Sequence, residues 1–168
     1  MEKTLRVINR METDGVIGRY AIGGAVAAIF YIEPFTTYDL DIFFAADIPG
    51  GLITLTPIYG YLARKGYEAE GEAVNIEGWP VQFLPTYNPL VAEAVEQAVE
   101  IKFKRTRTRV MSAEHLVAVM LQTGRPKDHA RAAEFLEEGV VDVARLTDIL
   151  SRHGLTDKWQ EFADEFGS

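Results

Sequence analysis

Between Tyr20 and Phe44 the chain is apolar enough to be buried, yet it carries two carboxylates two residues apart, Asp39 and Asp41. Thr37 to Phe44 alternates, with Tyr38, Leu40 and Ile42 set against Asp39 and Asp41, and that period of two predicts a strand. Side chains two apart on a strand leave from the same face. The two carboxylates therefore stand side by side at the end of a strand that continues as Ile42, Phe43 and Phe44. Two such charges repel unless a cation lies between them. Mg²⁺ takes oxygen ligands and is commonly held by one or two carboxylates together with substrate phosphates. Ahead of the strand, Gly23-Gly24 allows close backbone approach, and the short helix expected over Ala25 to Tyr31 begins with an N-terminus that favours an anion. Pro34 closes that helix. Together these parts fit metal-assisted nucleotidyl or phosphoryl transfer.

The rest of the chain reads as mixed elements followed by helices. Leu5, Ile8 and Met11 share one face of a helix over Glu2 to Glu12. Tyr20 to Gly24 predicts a short strand. Pro49-Gly50-Gly51 is a turn, and Pro57 to Lys65 a helix with Gly66 as its C-cap. Glu68 to Glu72, Ala73 to Ile76 and Val81 to Leu84 are expected strands. Asn88 caps a helix over Pro89 to Val99, and Lys102 to Val110 reads as an edge strand. After it, Ser112 caps a helix over Ala113 to Gln122. Gly124 stops that helix and Pro126 sits at the first turn of the next, Lys127 to Glu138. Val143 to Arg152 and Thr156 to Phe166 complete the set. The expectation is one domain over residues 1–168, an α/β (α+β) core over 1–110 and a helical tail over 111–168.

Composition narrows the chemistry. The 168-residue chain has no cysteine, which excludes thiolate zinc sites, a cysteine nucleophile and disulfides. Met1 to Gly15 is polar and lacks the apolar core of a signal peptide, so the cytoplasm is the expected compartment, with no membrane partner. A formal net charge of −8 argues against generic nucleic-acid binding. The exception is the basic cluster Lys102, Lys104, Arg105, Arg107 and Arg109, which reads either as a solvated edge or as a grip on a triphosphate or an RNA acceptor. His115, His129 and His153 have no metal-ligand spacing with one another and are expected to be structural. Trp79 and Trp159 are expected to be anchors rather than base-stacking platforms.

Ile22-Gly23-Gly24-Ala25 followed by Thr36-Thr37-Tyr38-Asp39-Leu40-Asp41-Ile42-Phe43 resembles the signature of the DNA polymerase beta-like nucleotidyltransferases. That signature is a hydrophobic residue, Gly, Gly or Ser, a gap of about a dozen residues, and acid-hydrophobic-acid. The gap in this chain is fourteen residues. Ser112-Ala113-Glu114-His115-Leu116 with Gly124-Arg125-Pro126-Lys127-Asp128 also resembles the tail of abortive-infection-type and minimal bacterial members, and the likeness runs from Tyr20 to about Leu136. The resemblance implies a small mixed sheet flanked by helices, with a C-terminal helical bundle. It implies that Gly23 and Gly24 seat a nucleoside triphosphate, that Asp39 and Asp41 are catalytic and hold Mg²⁺, and that Lys127 and Asp128 lie near the nucleotide. Arg131, four residues after Lys127, shares its helix face. The plain alternative for Lys127 and Arg131 is a surface ion network with Asp128 and Glu134.

Gln82 occupies the position at which the family usually carries a third carboxylate, and an amide cannot accept a proton as a carboxylate does. Glu77 is five residues earlier and is expected off the site. Two readings follow. One is a Mg²⁺-dependent enzyme that moves a nucleoside monophosphate from a triphosphate to a hydroxyl of an RNA, a protein or a small molecule. The other is a weak or inactive protein of the same fold that acts as a binding or regulatory module with a protein partner, as in a toxin–antitoxin pair.

Overall fold

The computed structural model describes residues 1–32, 39–46 and 55–167. The expected turn at Pro49-Gly50-Gly51, the helix stop at Pro34 and the first residues of the strand expected from Thr37 lie outside the described residues.

Helix α1 (Glu2–Thr13) opens the chain and buries Leu5, Ile8 and Met11 in full, the stripe that a spacing of three dictates. Strand β1 (Tyr20–Gly23) runs into α2 (Gly24–Ile29), and β2 (Leu40–Phe44) returns antiparallel to β1. Helix α3 (Thr56–Arg64), β3 (Ala69–Glu70), β4 (Ala73–Ile76) and β5 (Trp79–Pro85) follow. Helix α4 (Pro89–Glu96) is capped as expected, with Asn88 Oδ1 accepting from Val91 N at 2.9 Å. A hairpin of β6 (Val99–Phe103) and β7 (Thr106–Val110) completes the sheet. Helices α5 (Ala113–Thr123), α6 (Pro126–Glu137), α7 (Val143–Arg152) and α8 (Thr156–Phe166) form the tail. Among the described residues there are eight helices and a seven-stranded mixed sheet of order β3-β4-β5-β2-β1-β7-β6. None of these helices is long and apolar enough to cross a membrane.

The sheet differs from expectation at both of its edges. Helix α4, expected to run to Val99, stops at Glu96, and Val99 opens β6 instead. The single edge strand expected over Lys102 to Val110 is two strands, because the chain reverses at Lys104-Arg105, where Lys104 adopts a positive φ of 54°. Lysine is uncommon there, so no turn residue announces the hairpin. β7 is thereby internal, parallel to β1, and β6 is the edge. On the far side, the strand expected over Glu68 to Glu72 shortens to Ala69 and Glu70, in register with Val74 and Ala73 of β4.

Helix α5 is the hub of the tail. Ala113 to Ala118, Met120 and Leu121 are all buried, and α2, α4, α6, α7 and α8 pack around them. Its start holds a buried polar network. Ser112 Oγ caps the helix by accepting from His115 N, and lies 2.7 Å from His115 Nδ1. His115 Nε2 is 2.9 Å from Glu93 Oε2, which also takes His153 Nε2 at 3.2 Å, while Arg152 binds the same carboxylate. The line of Ser, His and Glu has the order of a nucleophilic relay, but Ser112 is only 3% exposed, so no substrate reaches its hydroxyl. The network joins α4, α5 and α7.

Candidate active site

The site begins with sheet register. Gly23 pairs with Asp41, and Asp41 pairs in turn with Gln82 of the parallel strand β5. A cleft of about 540 Å³ opens in front of these residues. Gly24, Ala25, Asp39 and Asp41 line one side, and Thr123, Arg125, Lys127, Asp128 and Arg131 of α5, α6 and their connection line the other. Phe43, Leu84, Met111, Leu116, Val119 and Met120 form an apolar wall, with Tyr87 at the rim, 57% exposed. The fold thus brings Gly24, Asp39, Asp41, Lys127, Asp128 and Arg131 around one space. Gly23 lies behind it, with its Cα facing the Phe43 ring and Met111.

Gly24 is where glycine is required. It has φ of +61°, and a Cβ built there would overlap Asp41 Oδ2 and lie 3.3 Å from Asp41 Cβ. The β1–α2 corner therefore leans its bare backbone on the carboxylate and fixes where that carboxylate points. Gly24→Ala is expected to lower Mg²⁺-dependent nucleotide affinity by roughly tenfold, while the strained φ costs about 1 kcal/mol of stability. Calorimetry and thermal melts on the same sample separate the two effects.

The electrostatics fit the arrangement. Asp41 is pushed up to about 6, first by burial and then by the charge of Asp39, with Arg125 and Lys127 pulling the other way. Asp39 sits just before β2 and is exposed. A carboxylate this reluctant to ionise is one that a hard cation would relieve, and the donor atoms at Asp39 and Asp41 are all oxygen. On those grounds the pair fits Mg²⁺. Among the described residues no group of three or more His, Asp or Glu side chains is placed to hold a metal.

The cations facing the pair are organised by α6. Arg125 clamps Asp128 with Nε at 2.7 Å and Nη2 at 3.1 Å, and Asp128 Oδ2 also accepts from Arg125 N. Asp128 is only 4% exposed. Its carboxylate is thus engaged in capping α6 and holding Arg125. The order Arg-Pro-Lys-Asp carried the signal, since an acid three residues past an N-cap is a capping-box position. Sequence reasoning missed Tyr87, whose exposure beside a helix cap has no local signature.

Gln82 lines the cleft beside Asp41, and its Nε2 donates to Glu72 Oε2 at 3.3 Å. Glu72, in the β3–β4 turn, is thus the carboxylate that Gln82 holds, and its contribution was not foreseen. Glu77 lies in the β4–β5 turn, accepts from Tyr67 Oη at 2.8 Å, and does not line the cleft. None of Lys102, Lys104, Arg105, Arg107 and Arg109 lines it either. A second depression of about 570 Å³ lies between α1 and the β6–β7 hairpin. Its polar groups largely engage one another, with Arg109 on Glu12 at 2.7 Å and Tyr20 Oη near Asn9 and Thr108.

No known family profile matches the sequence, and no curated protein does. Among solved structures the chain is similar to an antigenic nucleotidyltransferase-like protein from Paracoccidioides brasiliensis, at 12% identity, over 98% of this chain and 90% of that one, with a TM-score of 0.59. It is also matched by two structures of the antibiotic-resistance factor ANT(2'')-Ia. The solution structure has 13% identity over 98% of this chain and 99% of that one, with a TM-score of 0.49. The crystal structure, in complex with adenylyl-2''-tobramycin, has 13% identity over 96% and 98%, with a TM-score of 0.46. The first of these likenesses is one of fold, and the fold of this chain is nucleotidyltransferase-like.

Proposed function

We propose that the protein transfers a nucleoside monophosphate from a nucleoside triphosphate to a hydroxyl-bearing acceptor. The observation that carries this reading is the pairing of walls in one cleft: two carboxylates on β2 and its approach, opposed by Arg125, Lys127 and Arg131. Asp39 and Asp41 would hold Mg²⁺. When bound, the ion would offset phosphate charge and lower the pKa of an acceptor hydroxyl. Gly24, which lines the cleft at the β1–α2 corner against Asp41, would seat the triphosphate beside the metal ligands. Arg125 and Lys127 stabilise negative charge that builds on the phosphates as pyrophosphate leaves. The apolar wall and Tyr87 offer the base a surface to stack on. The acceptor hydroxyl would belong to an RNA, a protein or a small molecule.

The test is calorimetry with each of the four ribonucleoside triphosphates, with and without Mg²⁺, on the wild type and on Asp39→Ala/Asp41→Ala. Mg²⁺-dependent binding that the double variant loses is the expected result. Equal binding by both proteins removes the metal role.

Gln82 beside Asp41 favours a second reading, a weak or inactive binding module that works through a protein partner. Gln82→Asp separates the two. On a competent scaffold it is expected to raise turnover by roughly tenfold or more, with little change in nucleotide affinity. Unchanged turnover with intact binding favours the module.

A further inference from the structure

We propose that the protein self-associates through the free edge of β6, which pairs antiparallel with β6 of a second copy about a two-fold axis at Ile101. The strand reads Val99-Glu100-Ile101-Lys102-Phe103, apolar, acid, apolar, base, apolar. Antiparallel pairing centred on Ile101 sets Glu100 against Lys102 of the other copy, twice over, and sets Val99 against Phe103. It is self-complementary, as a two-fold interface must be.

Other pairings fail on charge. A shift of the centre by one residue sets Glu100 on Glu100 or Lys102 on Lys102. Parallel in-register pairing sets both on themselves. Like charges directly opposite are destabilising, so one register survives.

Three features of the strand support a partner. β6 is the edge of the sheet, paired on one side to β7. Glu100 and Lys102 are exposed, and among the described residues neither forms an ion pair. Within its own sheet Lys102 lies opposite Arg107, a like-charge neighbour, and Glu100 lies opposite Arg109, which is already bound to Glu12. An incoming Glu100 relieves Lys102, and an incoming Lys102 answers Glu100. Val99, 43% exposed, gains cover from Phe103 of the other copy. The edge is otherwise a template for uncontrolled strand addition, and a fixed two-fold partner closes it.

A single strand pair falls short of the ~1,200 Å² typical of stable interfaces, so the dimer is concentration-dependent. Both clefts stay open, because β2 is three strands from β6.

Sedimentation velocity between about 5 and 500 μM tests the proposal, a span that covers weak association. The wild type is expected to shift from monomer to dimer. Glu100→Lys and Lys102→Glu, each with native circular dichroism, are each expected to weaken association by about tenfold. An equimolar mixture of the two variants is expected to form heterodimers, and Glu100→Lys/Lys102→Glu in one chain is expected to restore the homodimer. A wild type that stays monomeric throughout overturns the proposal. So does a dimer indifferent to both charge reversals, which would lie elsewhere on the surface.

Discussion

Asp41→Asn is expected to weaken Mg²⁺-dependent nucleotide binding by roughly a hundredfold or more and to stabilise the metal-free protein. The first effect follows from removing the one carboxylate that Gly24 braces and that the cations of α6 face. The second follows from linkage. The Asp41 carboxyl is raised from 3.8 to about 6 in the folded chain. The folded state therefore holds this proton more tightly than the unfolded state. Stability falls as pH rises from about 3.8 to about 6, and the cost is complete above that. The full cost is on the order of 3 kcal/mol. Asparagine cannot ionise and escapes it. The variant should melt several degrees above the wild type at pH 8 in a chelator, and level with it near pH 4. Mg²⁺ should close the gap at pH 8 by raising the wild type alone. A variant that is less stable than the wild type at pH 8 would show that burial does not strain the carboxylate.

Glu93→Ala, on α4 where it ties that helix to α5 and α7 of the tail, is expected to be strongly destabilising, at about 3–5 kcal/mol and a fall in Tm of about 10 °C. The Glu93 carboxylate is only 16% exposed and serves His115, His153 and Arg152 at once. Burial pushes it up, but hydrogen bonds from Arg152, His115 and His153, with the Arg152 charge, bring it down to about 2. A lowered acid contributes stability that is complete above its ordinary 4.5 and is lost as pH falls towards 2. His115 acts in the same direction. Burial lowers it from 6.5, so its contribution weakens as pH falls below 6.5. The wild type should therefore lose stability on acidification below 6.5; Glu93→Ala should flatten the part below 4.5 and, because Glu93 holds His115 up, steepen the part just below 6.5. Urea titrations at pH 7.5, 5.5 and 4 read both the loss and the slope.

Local signals carried most of the fold. Asn88 and Ser112 cap the helices that their positions predict, and Gly124 takes φ of 72° where α5 stops. Helices α7 and α8 have the bounds that periodicity gave, because their amphipathic stripes are strong and His153-Gly154 separates them cleanly. The nucleotidyltransferase-like fold expected from the glycine pair and the acid pair matches the observed one. The β6–β7 hairpin was hidden because its reversal uses Lys104-Arg105 in place of glycine or asparagine. Of the site, the carboxylates, Gly24 and the cations of α6 were legible, since each has a motif around it. The capture of Asp128 by Arg125 and of Glu72 by Gln82 was not, because the first depends on the geometry of a helix cap and the second joins residues brought together by the β4–β5 pairing.

Strand β2 is fourth of seven, with three strands on either side. Its amides should be among the last in the molecule to exchange with deuterium, since opening it requires the whole sheet to part. Asp41 inherits that protection and Asp39, just outside the strand, does not. Nucleotide binding should then persist through any partial unfolding confined to α7 and α8, which do not line the cleft, and vanish only with the global transition, so that ligand binding and sheet melting trace one curve in denaturant.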